Sequence, residues 1–356
     1  MINMTRGNPA PETFPVEALV EASARNLRKD GKVVLQYLHS PGFLPLRDLL
    51  AERNGVQPDQ VFMGNSSLEL FAFLTQILLK PGMRAFVESP TYDRANTLLR
   101  RAGVEVVPIP LESDGVDLDV FERELRRGVP GLFYIVADFQ NPMGTTTSLA
   151  KRQQIASWAQ QYGFLITEDT PYRLLRYHGH PIPTLRSMAP EQVIELSSFS
   201  KVLAPGLRSG YLIGQKELVA RLHDWAVDTY IGPVAPTQGM VYEYLCGGTL
   251  DKDLERIRNL YRPRLDAVLS GLEACLPDAV YPKPEGGFFV GVTLPEGNRM
   301  ESLIPHASEV GLKITDGRGF YVNPTEGDRF LRIPFCSLTP EEIGQSLQII
   351  SRIIVH

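Results

Sequence analysis

Short, almost continuously apolar runs separated by longer stretches of helical period constrain this chain more than any other feature. RAFVES (84–89), VEVVPI (104–109), LFYIVA (132–137), FLITED (164–169), VIELSS (193–198) and GYLIG (210–214) are rich in β-branched and aromatic residues. Most show no polar–apolar alternation, as expected of strands covered on both faces. Between several of them lie helix-period segments such as SLAKRQQIASWAQQYG (148–163). This repetition predicts an α/β fold, a mostly parallel central sheet flanked by helices. Beyond residue 250 the texture changes. DKDLERIRNLYRPRLDAVLSGLEACL (251–276) reads as one long amphipathic helix, with a kink expected near Pro263. FFVGVTL (288–294), LKITDG (312–317) and FLRIPF (330–335), interleaved with short helices, predict a smaller α+β lobe.

Composition narrows the function. The net charge of −5 gives no electrostatic footprint for nucleic acid or anionic lipid. Cys246, Cys275 and Cys336 are scattered without C-x-x-C spacing, which points away from a disulfide framework or a zinc site. The opening MINMTRGNPAPETFP has no signal-peptide pattern, and no apolar run approaches the roughly 18 residues of a membrane span. The expectation is a cytoplasmic protein with no nucleic-acid or membrane partner.

SSFSKVLAPGLRSGYLIG (197–214) is the most informative segment. Lys201 follows a hydroxyl-rich turn and precedes Pro-Gly, Arg208 and a strand. A lysine amine forms a Schiff base with an aldehyde when it is at times unprotonated, and desolvation with nearby positive charge favours that state. Ser198, Ser200 and Arg208 together would clamp a phosphate. Taken alone, the same lysine also reads as a surface residue of a Ser/Pro/Gly loop. Asp169 ends a strand in EDTPY (168–172), where open α/β sheets place ligand groups. There it can pair with a protonated pyridine nitrogen, and Asn141 in QNPMG (140–144) and Tyr172 can hydrogen-bond a phenolic oxygen. Alone, Asp169 is equally a cap and Asn141 an Asx turn.

MGNSSLELFAFLTQILL (63–79) reads as strand end, polar turn and helix. Its backbone N–H groups, with Asn65, Ser66 and Ser67, could hold a phosphate, or the serine could be an ordinary N-cap. Tyr92 could stack on an aromatic ring or be a half-buried loop tyrosine. Arg332, alternating with apolar neighbours in FLRIPF, suits capture of a carboxylate or a surface salt bridge. His178-x-His180 lacks a third ligand, so no metal site is expected. Gly317-Arg318-Gly319 lacks the remainder of a dinucleotide fingerprint.

Together these segments resemble the fold-type I, aspartate-aminotransferase-like superfamily of pyridoxal 5′-phosphate (PLP) enzymes. Within it the chain is similar to the class I/II branch of α-aminoadipate and kynurenine aminotransferases and the sensor domains of MocR-type regulators. The resemblance runs from RGNPAPETFP (6–15) through LQYLHSPGFLPLRDLLA (35–51), GNSSLEL (64–70), SPTYDRA (89–95), QNPMG, EDTPY, the lysine segment, GPVAPTQ (232–238) and PEGGFFV (284–290) to FLRIPF.

The resemblance implies PLP as cofactor and a homodimer with active sites at its interface. It implies residues 1–45 as an N-terminal segment serving the small lobe and the dimer, 46–250 as the PLP-binding lobe and 251–356 as the small lobe. Lys201 would form the Schiff base and shuttle the proton, Asp169 would face the pyridine nitrogen, and Tyr92 would stack on the ring. Asn141 and Tyr172 would face the phenolic oxygen. Gly64, Asn65, Ser66, Ser198, Ser200 and Arg208 would form the phosphate site, with Tyr37 reaching it from the partner subunit. Arg332, with Asn141, Asn8 and Arg6, would meet the substrate. Three departures border the substrate entrance: the chain begins almost at RGNPAP without the family's N-terminal arm, Met143 replaces a small or hydroxyl residue, and Arg6 stands where many relatives have glycine. The implied reaction moves an α-amino group from an amino acid to a 2-oxo acid. Elimination, replacement or cyclisation on the same scaffold, and a non-catalytic PLP sensor, are the alternatives.

Overall fold

FLITED holds a strand, Leu165–Asp169, flanked by parallel strands on both edges; Ile166, Thr167 and Glu168 in it are fully buried and Leu165 is half-buried. The computed structural model describes residues 1–38 and 41–354. Its strands are β1 Ile2–Met4, β2 Val61–Gly64, β3 Arg84–Ser89, β4 Glu105–Glu112, β5 Gly115–Val116, β6 Leu132–Ile135, β7 Leu165–Asp169, β8 Val193–Ser198, β9 Gly210–Ile213, β10 Phe289–Thr293, β11 Leu312–Ile314 and β12 Phe330–Pro334.

Eight of these form one sheet in the order β2-β9-β8-β7-β6-β3-β4-β5. Neighbours from β8 through β4 run parallel, while β9 and β5 pair antiparallel to theirs. The mostly parallel α/β sheet expected from the sequence is therefore present. Local signals set the helix ends. Ser148 caps Leu149–Tyr162 by accepting from the Lys151 amide, and Gly163 closes that helix at φ 77°. The long helix begins one residue early and runs Leu250–Cys275 as one helix with Pro263 inside it.

Strands β10 and β12 pair antiparallel, and β11 pairs in parallel with β1. The N-terminus is thereby stitched to the C-terminal part of the chain. The first long helix, Val16–Val34, packs against Ala235–Cys246. Among the described residues, no helix is long and apolar enough to cross a membrane.

The order of connections places the site. From β3 the sheet grows one way to β4 and the other way to β6, β7 and β8. A crevice opens beyond the strand carboxyl ends where that reversal occurs. Ser89, Ile135, Asp169 and Ser198 are the last residues of the four strands that border it.

Candidate active site

Four strand ends and the N-terminal strap line one cavity of about 490 Å³. Asp169, at the end of β7, is buried because parallel strands flank it on both sides. Tyr134 Oη, from the neighbouring β6, donates to Asp169 Oδ2 at 2.7 Å, while Oδ1 is buried with no partner. Burial pushes this carboxyl up to about 6, against the pull of the Tyr134 hydrogen bond and of Lys201. A buried carboxylate with one orphan oxygen is an incomplete site that a cationic or N–H partner would complete.

Lys201 follows β8 in the turn that Ser198 and Ser200 tighten: Ser198 Oγ accepts from the Ser200 amide at 3.1 Å and donates to Ser200 Oγ at 2.9 Å. Its Nζ donates to the Gly7 carbonyl at 3.2 Å and lies 5.9 Å from the Tyr172 ring centre. Desolvation pushes this amine below its ordinary value; Arg332 and Arg208 push the same way, while Cys336 and Asp169 oppose. Arg332 projects from β12 between the Phe289 and Phe320 rings, 4.6 and 4.7 Å from their centres. Its Nη1 donates to Asn141 Oδ1 at 3.1 Å and its Nη2 to the Thr5 carbonyl at 2.9 Å, leaving Nε buried and unpartnered. Tyr92 flanks the same space, its hydroxyl pushed up to about 12 by burial.

The phosphate-like turn is built by β2, β9 and the helix Ser67–Leu78. Ser66 caps that helix, accepting from the Glu69 amide at 3.1 Å. A side chain at Gly210 would meet Ser67 N at 2.6 Å, so only glycine lets β9 lie against the helix start. Ser66, Ser67 and Leu68 face the cavity, with Ser198, Ser200 and Arg208 across from them. Arg208 takes the left-handed conformation, φ 46°, and is exposed.

The family model for class I and II aminotransferases matches residues 1–350. The chain belongs to that family. It is 34% identical to the 2-aminoadipate transaminase of Thermus thermophilus, the match covering 99% of this chain and 89% of that one. It is 33% identical to aromatic-amino-acid aminotransferase 1 of Thermococcus litoralis, covering 98% and 86%. The crystal structure of the α-aminoadipate aminotransferase of Thermus thermophilus, complexed with N-(5′-phosphopyridoxyl)-L-leucine, superposes with a TM-score of 0.93 at 32% identity, covering 99% and 91%. This chain is thus an aminotransferase, and its cofactor is PLP.

The residues present fit that cofactor. Asp169 offers its orphan oxygen to a ring nitrogen, Lys201 offers a desolvated amine to an aldehyde, and the turn at Ser66 offers helix-start N–H groups to a phosphate. Of the other sequence candidates, Asn141, Tyr172, Asn8 and Arg6 also line the cavity. Three do not. Asn65 lies behind the turn: its Nδ2 donates to Glu69 Oε1 at 3.0 Å and its Oδ1 accepts from the Val234 amide at 2.9 Å, so its side chain is committed elsewhere. Gly64 sits in β2 opposite Gly210. Tyr37 lies outside the cavity, 78% exposed.

Sequence reasoning missed Tyr134, which reads as one more core aromatic in LFYIVA. It also missed Gln140 and Glu88. Gln140 Nε2 donates to the Pro90 carbonyl at 2.8 Å and its Oε1 accepts from the Met143 amide at 2.9 Å, tying the Tyr92 loop to the Asn141 turn. Behind it Glu88, pushed up to about 8 by burial, accepts from the Val136 amide at 3.0 Å. A glutamate inside the apolar run RAFVES was the available signal.

Proposed function

We propose that this aminotransferase takes an α-amino acid and a 2-oxo acid, anchors PLP covalently on Lys201 and carries the transferred proton on Lys201 Nζ. When bound, PLP supplies an electron sink for the bond broken at the substrate α-carbon. The chain's residues do the rest. Asp169 holds the pyridine nitrogen protonated, with Tyr134 fixing the carboxylate's orientation. Asn141 and Tyr172 hydrogen-bond the phenolic oxygen, and Tyr92 covers the ring. Ser66, Ser198, Ser200 and Arg208 hold the phosphate, with the N-terminal amides of Ser67–Leu78. Arg332 binds the α-carboxylate, exchanging the Thr5 carbonyl for it, and Asn8 lines the substrate side. Low-polarity walls at Phe289 and Phe320 strengthen that charge pair.

The carrying observation is the meeting, in one cavity, of a desolvated Lys201 amine, a buried Asp169 with one orphan oxygen and a buried Arg332 with an unpartnered Nε. Borohydride reduction followed by peptide mass spectrometry is expected to place the cofactor on Lys201. Label on another lysine overturns the assignment.

We further propose that the chain works as a homodimer, with residues 1–45 serving the small lobe and the interface, 46–250 the cofactor lobe and 251–356 the small lobe. Support comes from the apolar residues left open along the first helix and just after it. Val16, Val20 and Val33 are 58%, 54% and 51% exposed, and Leu35 is 72% exposed beside Tyr37.

A further inference from the structure

Among the cationic side chains of the described residues that line the cavity, Arg6 alone has neither a protein partner nor a role in holding the cofactor or the α-carboxylate. Five cationic residues line it, Arg6, Arg94, Lys201, Arg208 and Arg332, against the carboxylates Asp93 and Asp169. Arg94 Nε has Asp93 Oδ2 at 3.6 Å. Under the function proposed above, on which this inference rests, Asp169 serves the ring nitrogen, Arg208 the phosphate, Arg332 the α-carboxylate, and Lys201 the covalent bond and the proton transfer. Arg6 has no counterpart.

Nearby carboxylates are already engaged. Glu12, the acid closest to Arg6 in sequence, receives Arg264 Nη2 at 3.3 Å, and Asp316, beside the strap's partner Thr315, receives Arg318 Nη2 at 2.8 Å. Among the described residues, Arg6 has no ion pair or hydrogen bond to its side chain.

Its position is fixed from both sides. The preceding residue, Thr5, gives its carbonyl to Arg332 Nη2 at 2.9 Å and to Thr315 Oγ1 at 2.8 Å. The following residue, Gly7, gives its carbonyl to Lys201 Nζ at 3.2 Å. A side chain at Gly7 would collide with the Phe289 ring, so the strap is seated tightly against the cavity wall. Arg6 therefore springs from between the contacts to the lysine and to the carboxylate-binding arginine. An α-amino acid held by those two groups must send its side chain outward, into the space that Arg6 lines. A free guanidinium there favours a planar anion.

We propose that Arg6 is a specificity-determining residue that reads a distal carboxylate, so that the preferred substrates are dicarboxylic amino acids and dicarboxylic 2-oxo acids. Its role is recognition; no bond is made or broken at it.

The test is a set of single half-reactions followed by cofactor absorbance on the holoenzyme and on Arg6→Gln, Arg6→Lys and Arg6→Glu. L-glutamate and L-2-aminoadipate are compared with L-glutamine and L-norleucine, which are similar in length without the charge. Matched dicarboxylic and monocarboxylic 2-oxo acids assay the return half-reaction, so that recognition of the donor and of the acceptor are read separately. In the wild type the dicarboxylic member of each pair is expected to react faster. In Arg6→Gln the acid-to-neutral ratio of kcat/KM is expected to fall about tenfold or more, carried by KM. Arg6→Lys is expected to restore part of the ratio, and Arg6→Glu to lower it below that of Arg6→Gln. A ratio within about threefold of wild type in both Arg6→Gln and Arg6→Glu overturns the role of Arg6 and leaves the proposed function standing. Failure of every amino acid to react with the wild type overturns both.

Discussion

Asp169→Asn separates the cost of the buried carboxylate from the rest of the protein. In the folded apoenzyme Asp169 keeps its proton until about pH 6, whereas its ordinary value is 3.8. Below pH 4 the group is protonated whether the chain is folded or unfolded, and it costs nothing extra. Between 4 and 6 the folded form holds a proton that the unfolded form has lost, so stability from this group drains away as pH rises. Above 6 both are ionised and the fold carries the full desolvation cost. The gap from 3.8 to about 6, at 1.36 kcal/mol per pH unit, is about 3 kcal/mol. Asparagine does not titrate and can still accept from Tyr134. Urea unfolding of both apoproteins across pH 4.5–8 therefore has a definite difference curve: the wild type should lose about 2 kcal/mol relative to the variant over that range, nearly all of it below pH 7, the other ~1 kcal/mol falling below pH 4.5. Added PLP should stabilise the wild type at pH 8 more than the variant, because only the carboxylate gains a cationic partner. A flat difference curve, or equal stabilisation by PLP, would refute the reasoning.

Three further outcomes follow from the same geometry. Arg332→Ala should weaken amino-acid binding on the order of 100-fold while changing PLP affinity much less, measured by substrate and cofactor titrations, because its loss removes a desolvated charge pair; equal losses would make Arg332 structural. Tyr134→Phe strips Asp169 of its one hydrogen bond and should cost about 1–3 kcal/mol in the apoenzyme at pH 8, with a smaller loss at pH 5 where the carboxyl is neutral; a loss independent of pH would contradict the link. Sedimentation should give a dimer, and Tyr37→Ala should weaken PLP binding without dissociating it; a fully active monomer would remove the interface role.

Sequence and structure agree best where the chemistry is local. β3 and β8 match RAFVES and VIELSS residue for residue, because strands covered on both faces read as short, mostly apolar runs without alternation. The ends of Leu149–Tyr162 were legible from Ser148 and Gly163, a cap and a left-handed stop. Lys201, Asp169, Asn141, Tyr172 and Arg332 were each ambiguous alone, and their order along the chain made the cavity foreseeable. Contacts between distant segments were not legible. β1 has three residues and no period to read, yet its pairing with β11 brings the Thr5 and Gly7 carbonyls to Arg332 and Lys201. Tyr134 differs from the core aromatics around it only through Asp169, 35 residues away. Asn65 was read as a phosphate ligand although Glu69 stands four residues on. That glutamate takes both the Asn65 amide N–H and its side chain.

The central claim is amino-group transfer at Lys201, and one stoichiometric half-reaction tests it most directly. Holoenzyme is mixed with excess amino acid and no 2-oxo acid, and the 2-oxo product is counted against active sites while the cofactor's absorbance is followed. The account predicts one product molecule per site, a shift of the absorbance to the near ultraviolet that then stops, and full reversal on adding a 2-oxo acid. Many turnovers without any 2-oxo acid, with the absorbance returning to its starting form, would contradict it.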